Sequence, residues 1–233
     1  LIHHKLSIIR DENTNTKDFR QSVNEIANLM AFEATRNLPL KEVKTKTPIS
    51  LATTYMLDCE VVIVPILRAG IGMVDGIHSL IPTAKVGHIG LYRNEETLEP
   101  QLYYAKFPPT LPNAIVFLVD PMLATGGSAV AAINILKSHG AKTIIYMGIV
   151  GVDQGINYLK EHHPDVDIYL ASKDDKLNEK GYIVPLRLVS AEGGNSQLST
   201  NMLAPSFLTI TVTEDNMNHE ATQYTGTGTL VAD

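Results

Sequence analysis

Thirteen residues constrain this chain more than any others: Val116-Phe117-Leu118-Val119-Asp120-Pro121-Met122-Leu123-Ala124-Thr125-Gly126-Gly127-Ser128. An apolar run of β-formers ends in an acid, crosses a short loop, and reaches two glycines and a hydroxyl just before Ala129-Val130-Ala131-Ala132-Ile133-Asn134-Ile135-Leu136-Lys137. The pattern predicts a buried strand, a tight loop and a helix start. Paired glycines let backbone N–H groups approach a ligand with no side chain in the way. A helix leaves its first N–H groups unpaired and carries partial positive charge at that end, so Thr125 to Ser128 make a natural anion cradle. Asp120 falls at the carboxyl end of a strand, where open α/β sheets bind ligands. A carboxylate beside a phosphate cradle is repulsive unless the ligand also offers hydroxyls, as a phosphorylated sugar does. The spacing lacks the Gly-Lys-Ser/Thr of a Walker loop and the Gly-x-Gly-x-x-Gly of a dinucleotide fingerprint. A phosphorylated sugar is therefore the sharper reading; a strand-to-helix turn whose glycines serve close packing is the plainer one.

With 233 residues and 44% apolar content, the chain can bury a substantial core in one domain with a small annex. A net charge of −6 offers no broad basic surface for nucleic acid. A single cysteine, Cys59, excludes an intramolecular disulfide framework and points to a reducing compartment. No apolar run reaches the roughly 18 to 20 residues of a membrane helix. Leu1 opens without a basic head and apolar segment, so the expected location is the cytoplasm.

Along the chain, residues 1–20 are polar and locally basic, and Asp18 is the expected cap of a helix from about Phe19 to Ala34. His3 and His4 are adjacent, not one turn apart, which favours surface polarity over a metal pair. Residues 35–58 read as a peripheral segment whose strands, if any, are short. Val61 to Ile66 predicts a second buried strand, followed by a compact loop and a helix through about Leu80. Arg68 lies in that loop. Its fork of donors suits a phosphate or carboxylate, and a structural salt bridge is the alternative. Val86 to Tyr92 is a third strand, and the charged stretch before Gln101-Leu102-Tyr103-Tyr104 predicts a ribbon covering a site. Arg93 and Lys106 could bring charge from it to a leaving diphosphate, whereas Glu95 and Glu96 read as solvated. Lys142 to Val150, Gln154 to His162 and Val166 to Ala171 continue as strand, helix and strand. This alternation predicts an α/β fold, a mostly parallel sheet with helices on both faces. His162-His163 reads as helix-end stabilisation before metal binding. Tyr182, near Ile183, could wall a planar base. From Leu186 the texture turns to glycine, serine, threonine and amides, which suits a small β annex, a subunit-exchange arm or partly disordered chain.

If Thr125 to Ser128 hold a sugar 5-phosphate and Asp120 its hydroxyls, Arg68 can hold a diphosphate across the ring, and the ligand is a phosphoribosyl diphosphate. Breaking its anomeric bond develops positive charge on ribose and negative charge on diphosphate. Magnesium, held mainly by substrate oxygens and water, would neutralise part of the latter. No Ser/His/Asp constellation or zinc spacing competes, and Cys59 has no activating partner in the sequence.

At this point the ordered motifs Val64-Pro65-Ile66-Leu67-Arg68-Ala69-Gly70, His88 to Pro100, Val119 to Ser128, His163-Pro164-Asp165-Val166-Asp167 and Leu177 to Pro185 carry a resemblance. Across about residues 3–185 the chain resembles the uracil phosphoribosyltransferase family of the type I phosphoribosyltransferase superfamily. The resemblance implies conversion of uracil and phosphoribosyl diphosphate to uridine monophosphate and diphosphate, with magnesium, in pyrimidine salvage. It implies catalytic roles for Asp120 and Arg68. Substrate contacts would come from Arg68, Arg93, Asp120, Ala124, Thr125, Gly126, Gly127 and Ser128, with Tyr182 and Ile183 on the uracil side; no metal-ligating side chain is assigned. It also implies a β arm at about 92–106, a homodimer or homotetramer and, in some members, a response to guanosine triphosphate. The expected organisation is a core over 1–185 and a divergent tail over 186–233. After Pro185 the family continues Gly-Leu-Gly-Asp-Ala-Gly-Asp, whereas this chain has Leu186-Arg187-Leu188-Val189-Ser190-Ala191-Glu192. Glu192 inherits no role. Altered base specificity, or a structural or regulatory protein on the same fold, are the alternative readings of that departure.

Overall fold

The computed structural model describes residues 1–93, 100–179 and 181–185, together with 222–224 and 230–232; for Arg93 and the last two segments, only the backbone. Glu95, Glu96, Leu186, Leu188 and Glu192 lie outside the described residues.

Helix α1, Ile2–Arg10, buries Leu6 and Ile9 on one face. Helix α2, Thr16–Ala34, starts earlier than the sequence suggests, and its cap is Asn15. The Asn15 side chain accepts from the Asp18 N–H at 3.0 Å, and Asp18 sits inside the first turn, where its charge suits the helix dipole. Strands β1, Leu40–Lys46, and β2, Leu51–Leu57, pair antiparallel into a ribbon. At seven residues each they exceed the short strands expected of this segment. A Thr47 to Ser50 turn fixes their register: the Thr47 N–H donates to the Ser50 carbonyl at 2.9 Å, and the Ser50 N–H to Thr47 Oγ1 at 3.0 Å.

The sheet is built from β3 (Glu60–Leu67), β4 (Lys85–Val86), β5 (His88–Arg93), β6 (Pro100–Lys106), β7 (Ala114–Val119), β8 (Met122–Leu123), β9 (Thr143–Val152) and β10 (Asp167–Asp174). Its order is β10-β9-β7-β3-β5-β6, with β4 beside β3 and β8 beside β9. All pairings are parallel except β5 with β6, which form the expected arm on residues 88–93 and 100–106. Alternate residues of the central strands go to opposite faces. Val61, Ile63, Phe117, Val119, Ile145 and Met147 join one apolar cluster, together with α1, α2 and α3 (Ile71–Leu80). Val62, Val64, Val116, Leu118, Ile144 and Tyr146 join the other, with α4 (Gly127–Ser138) and α5 (Asp153–His162). Both faces being covered is why these strands read as continuous apolar runs. Truncating a fully buried member such as Ile63 to alanine costs about 2 to 5 kcal/mol. Beyond β10, the two-residue strands β11 (Lys176–Leu177) and β12 (Ile183–Val184) close a small hairpin. Within the tail, β13 (Thr222–Tyr224) pairs antiparallel with β14 (Leu230–Ala232).

His163 caps α5 and is only 5% exposed. Its Nδ1 lies 3.1 Å from Lys137 Nζ, which also reaches Asp165 at 2.8 Å. Burial, then the Lys137 charge, hold the imidazole below its ordinary 6.5. The native state thus takes up that proton less readily than the unfolded chain, so this contribution is complete above about 6.5 and is lost as pH falls through the lower folded value. His163→Gln should make denaturation midpoints at pH 7.5 and pH 5.5 more alike than in the wild type; an unchanged difference in urea melts would remove His163 from this role.

Candidate active site

The site lies at the carboxyl ends of β3, β7 and β9, where three loops meet through backbone contact. Gly70 ends the loop after β3, and a Cβ there would stand 2.3 Å from the carbonyl oxygen of Val119. The Arg68 loop can therefore lie against the end of β7 only with glycine at that position. Arg68 itself is exposed and makes no ion pair among the described residues, contrary to the salt-bridge alternative.

Asp120 follows directly. Its N–H donates to the Met147 carbonyl at 3.2 Å, and its own carbonyl accepts from the hydroxyl of fully buried Tyr146 at 3.3 Å. Part of the residue reaches solvent, yet burial pushes the carboxyl up to about 7, against the opposing pull of a hydrogen bond from the Met122 backbone. A carboxylate in this position has lost water without gaining a cation, so it is poised for a ligand that donates hydrogen bonds.

Ala124 to Ser128 run from β8 into α4. The two glycines do different jobs. Gly126 caps α4 in the left-handed region at φ 85°, and a Cβ there would meet the Gly155 carbonyl at 2.9 Å and Tyr158 at 3.1 Å. Gly155 returns the contact, its absent Cβ facing the Ala124 carbonyl at 2.4 Å. Gly127 has open space instead: the nearest atom to its Cβ position is Thr125 Oγ1 at 3.9 Å. No side chain caps the helix, so the first N–H groups of α4 meet a space a ligand can enter. Of the two glycines, Gly126 is required by packing, and Gly127 is the one with room beside it.

Beside this turn is a cavity of about 460 Å³, lined by Thr125, Asp153, Asp175, Asn178, Glu179 and Gly181 among others. The β11–β12 hairpin forms its outer wall. Asn178 shapes the hairpin's turn: its carbonyl accepts from the Gly181 N–H at 2.9 Å and its Oδ1 from the Tyr182 N–H at 2.9 Å. Tyr182 is 42% exposed, whereas Ile183 buries its side chain in the cluster shared with α1 and α2. Anything Ile183 offers a ligand must therefore come from its backbone. The structure brings the Thr125 turn and the Gly181 hairpin around one space. Of the substrate contacts expected from the sequence only Thr125 lines it; Arg68, Asp120, Ala124, Gly126, Gly127, Ser128, Tyr182 and Ile183 lie outside that lining. Arg93 ends β5 on the arm, and its side chain lies outside the described residues; Lys106 is exposed at the other end of the arm, opposite His88. The lining acids Asp153, Asp175 and Glu179 do not stand out in the sequence. Neighbouring acids in loops carry no periodic signal; only the Asn178 to Gly181 turn chemistry marks the region.

The family model for uracil phosphoribosyltransferase matches residues 1–186. The uracil phosphoribosyltransferase of Bacillus velezensis is 60% identical over 186 residues, covering 79% of this chain and 89% of the relative. That of Acholeplasma laidlawii is 56% identical over 185 residues, with the same coverage. Among solved structures, the AQ2163 protein of Aquifex aeolicus superposes with a TM-score of 0.77 at 33% identity, covering 83% of this chain and 96% of that one. By the family model and by sequence identity, the chain belongs to the uracil phosphoribosyltransferase family.

Proposed function

We propose that this chain transfers the phosphoribosyl group of 5-phosphoribosyl 1-diphosphate to uracil, giving uridine monophosphate and diphosphate in pyrimidine salvage, and does so at the three loops described above. The observation that carries the assignment of roles is the pairing of an open, uncapped helix start at Gly127 with a half-buried carboxylate at Asp120. Ala124 to Ser128 take the 5-phosphate through backbone N–H groups and hydroxyls. Asp120 accepts from the ribose hydroxyls, and its charge stands on the side where the ribose becomes positive as the anomeric bond breaks. Arg68, uncommitted to any described acid, takes the diphosphate, joined from the arm by Arg93. Uracil sits against the β11–β12 hairpin, with Tyr182 as an apolar wall and the Ile183 backbone reading its edge.

Among the described residues no three His, Cys, Asp or Glu side chains converge as a metal cage. A magnesium ion would therefore be held as a partner of the substrate and not by a side-chain cage, and would supply neutralisation of charge on the leaving group. A homodimer or homotetramer is the proposed assembly; exposed Tyr92, Tyr103 and Tyr104 on the arm support it. A guanosine triphosphate response rests on family resemblance alone. The described residues contain no helix long and apolar enough to cross a membrane. Cytoplasmic residence is supported by the lone Cys59, whose thiol burial and the neighbouring Asp58 and Glu60 push up, leaving it poorly suited to exchange. The proposed domain division is a core over 1–185 and a tail over 186–233.

The direct test is product formation from phosphoribosyl diphosphate and magnesium with uracil, cytosine, hypoxanthine and adenine in turn. Uridine monophosphate should dominate; a different favoured base would replace the uracil assignment with altered specificity. Asp120→Asn should lower kcat/KM for phosphoribosyl diphosphate at least about a hundredfold. The same change should stabilise the protein at alkaline pH. The folded Asp120 value near 7 lies above its ordinary 3.8, so the native state binds the proton more tightly, and stability falls as pH rises between the two. An amide at that position has no carboxyl proton to lose. The variant should therefore melt higher than the wild type at pH 8 and alongside it at pH 4; equal melting at pH 8 would refute the burial argument. Arg68→Ala should raise KM for phosphoribosyl diphosphate by about tenfold or more while leaving that for uracil within about threefold. Equal losses for both substrates would point to structural damage.

A further inference from the structure

We infer that Arg10, far from the phosphate turn in sequence, is a positioning residue for the base side of the active site: it fixes the last residue of β10 and so the hairpin that walls the cavity. Arg10 stands in the last turn of α1. Its Nη1 donates to Asp174 Oδ2 at 2.8 Å and its Nη2 to Asp174 Oδ1 at 2.6 Å. Nη2 also reaches Ser172 Oγ at 3.3 Å, and that hydroxyl donates to Asp174 Oδ1 at 3.3 Å. Asp174 is only 7% exposed. A two-pronged guanidinium–carboxylate pair fixes orientation as well as distance, which a single ammonium contact does not.

What makes this pair more than a staple is where it holds the chain. Asp174 ends β10, opposite Val152 at the end of β9. The next residues on the two strands, Asp175 and Asp153, both line the cavity. From Asp175 the chain enters a hairpin secured by two register pairs, Lys176 with Val184 and Leu177 with Ile183. So short a ladder does little to place itself, and its position is set by its anchors. One anchor is Ile183 in the apolar cluster that also takes Leu6 and Ile9 of α1. The other is the Arg10–Asp174 pair. Helix α1 is itself held to α2 by the ion pair of Lys5 with Glu25. Without the guanidinium, Asp174 is a buried carboxylate with no cation; whether it takes up a proton or moves towards water, the two-pronged hold on the end of β10 is gone, and Asp175 and the hairpin are released with it. The phosphate turn and the Arg68 loop stand on β7, β8 and β3, and would stay in place.

This inference rests on the hairpin being the uracil wall, and the experiment separates the two ideas. Arg10→Met and Arg10→Lys in the full chain are compared with wild type for uridine monophosphate formation, each substrate varied in turn, and for amide hydrogen exchange. In Arg10→Met, KM for uracil should rise about tenfold, with KM for phosphoribosyl diphosphate within about threefold. Arg10→Lys should fall between. Exchange should quicken over 175–183 and stay unchanged over 125–128. Equal KM changes for both substrates, or unaltered exchange over 175–183, would overturn the inference. If Arg10→Met does not fold, Arg10→Lys alone carries the comparison. If the wild type forms no uridine monophosphate, the functional reading fails while the exchange comparison still decides whether Arg10 holds the hairpin.

Discussion

The site exists because three backbone segments lie closer together than side chains would permit. Gly70 places the Arg68 loop against the Val119 carbonyl, and Gly155 places the start of α5 against the Ala124 carbonyl. Gly126 fits beneath Gly155 and Tyr158 in a conformation that other residues adopt at a cost. Each contact joins an element of the sheet's carboxyl edge to its neighbour, so a displacement at any of them is felt at the phosphate turn. The parallel sheet makes this convergence available: strands buried on both faces run the same way and deliver their following loops to one edge. Tight packing there holds N–H groups in place before a ligand arrives, which is the form of preorganisation that anion binding rewards.

Asp120 shows what such a site costs. The backbone of the residue is tied to Met147 and Tyr146, which fixes where the side chain starts from at the end of β7. Left without a cation, it holds its proton up to about 7. A poorly solvated acid is a cost to the native state, and in the proposed function ribose hydroxyls donating to it would offset that cost. The same logic separates Asp120 from Asp174, which is the more deeply buried of the two and is satisfied within the fold by Arg10.

Much of this is legible in the residues. Continuous apolar runs at Val61 to Ile66 and Val116 to Val119 mark central strands, because burial on both faces removes alternation. The Thr125 to Ser128 turn declares itself through its glycines. What escapes the sequence depends on partners distant along the chain or on weak local signals. Helix α1 is hidden because its buried face is narrow, only Leu6 and Ile9 among polar and basic neighbours. The α2 cap differs from the sequence expectation because both Asn15 and Asp18 are capping residues, and only geometry shows which oxygen receives the N–H. Strands β1 and β2 run longer than the sequence suggests because most of their residues are exposed, leaving no alternating pattern to read. Arg10 and Asp174 lie 164 positions apart, and no local rule pairs them.

The end of the family match at residue 186 bears on how the base pocket is completed. Up to Pro185 the hairpin is specified from within the matched segment: Asn178 and Gly181 make its turn, Ile183 its apolar anchor, and Asp174 its hold on α1. None of these contacts requires a residue beyond 185. These contacts hold the hairpin from within the described residues, while the family's Gly-Leu-Gly-Asp-Ala-Gly-Asp continuation has no counterpart in the sequence at Leu186 to Glu192. In the proposed function, phosphoribosyl diphosphate recognition and base recognition therefore stand on different parts of the chain: the first on loops of the sheet edge with Arg93 of the arm, the second on the hairpin between Asp174 and Pro185.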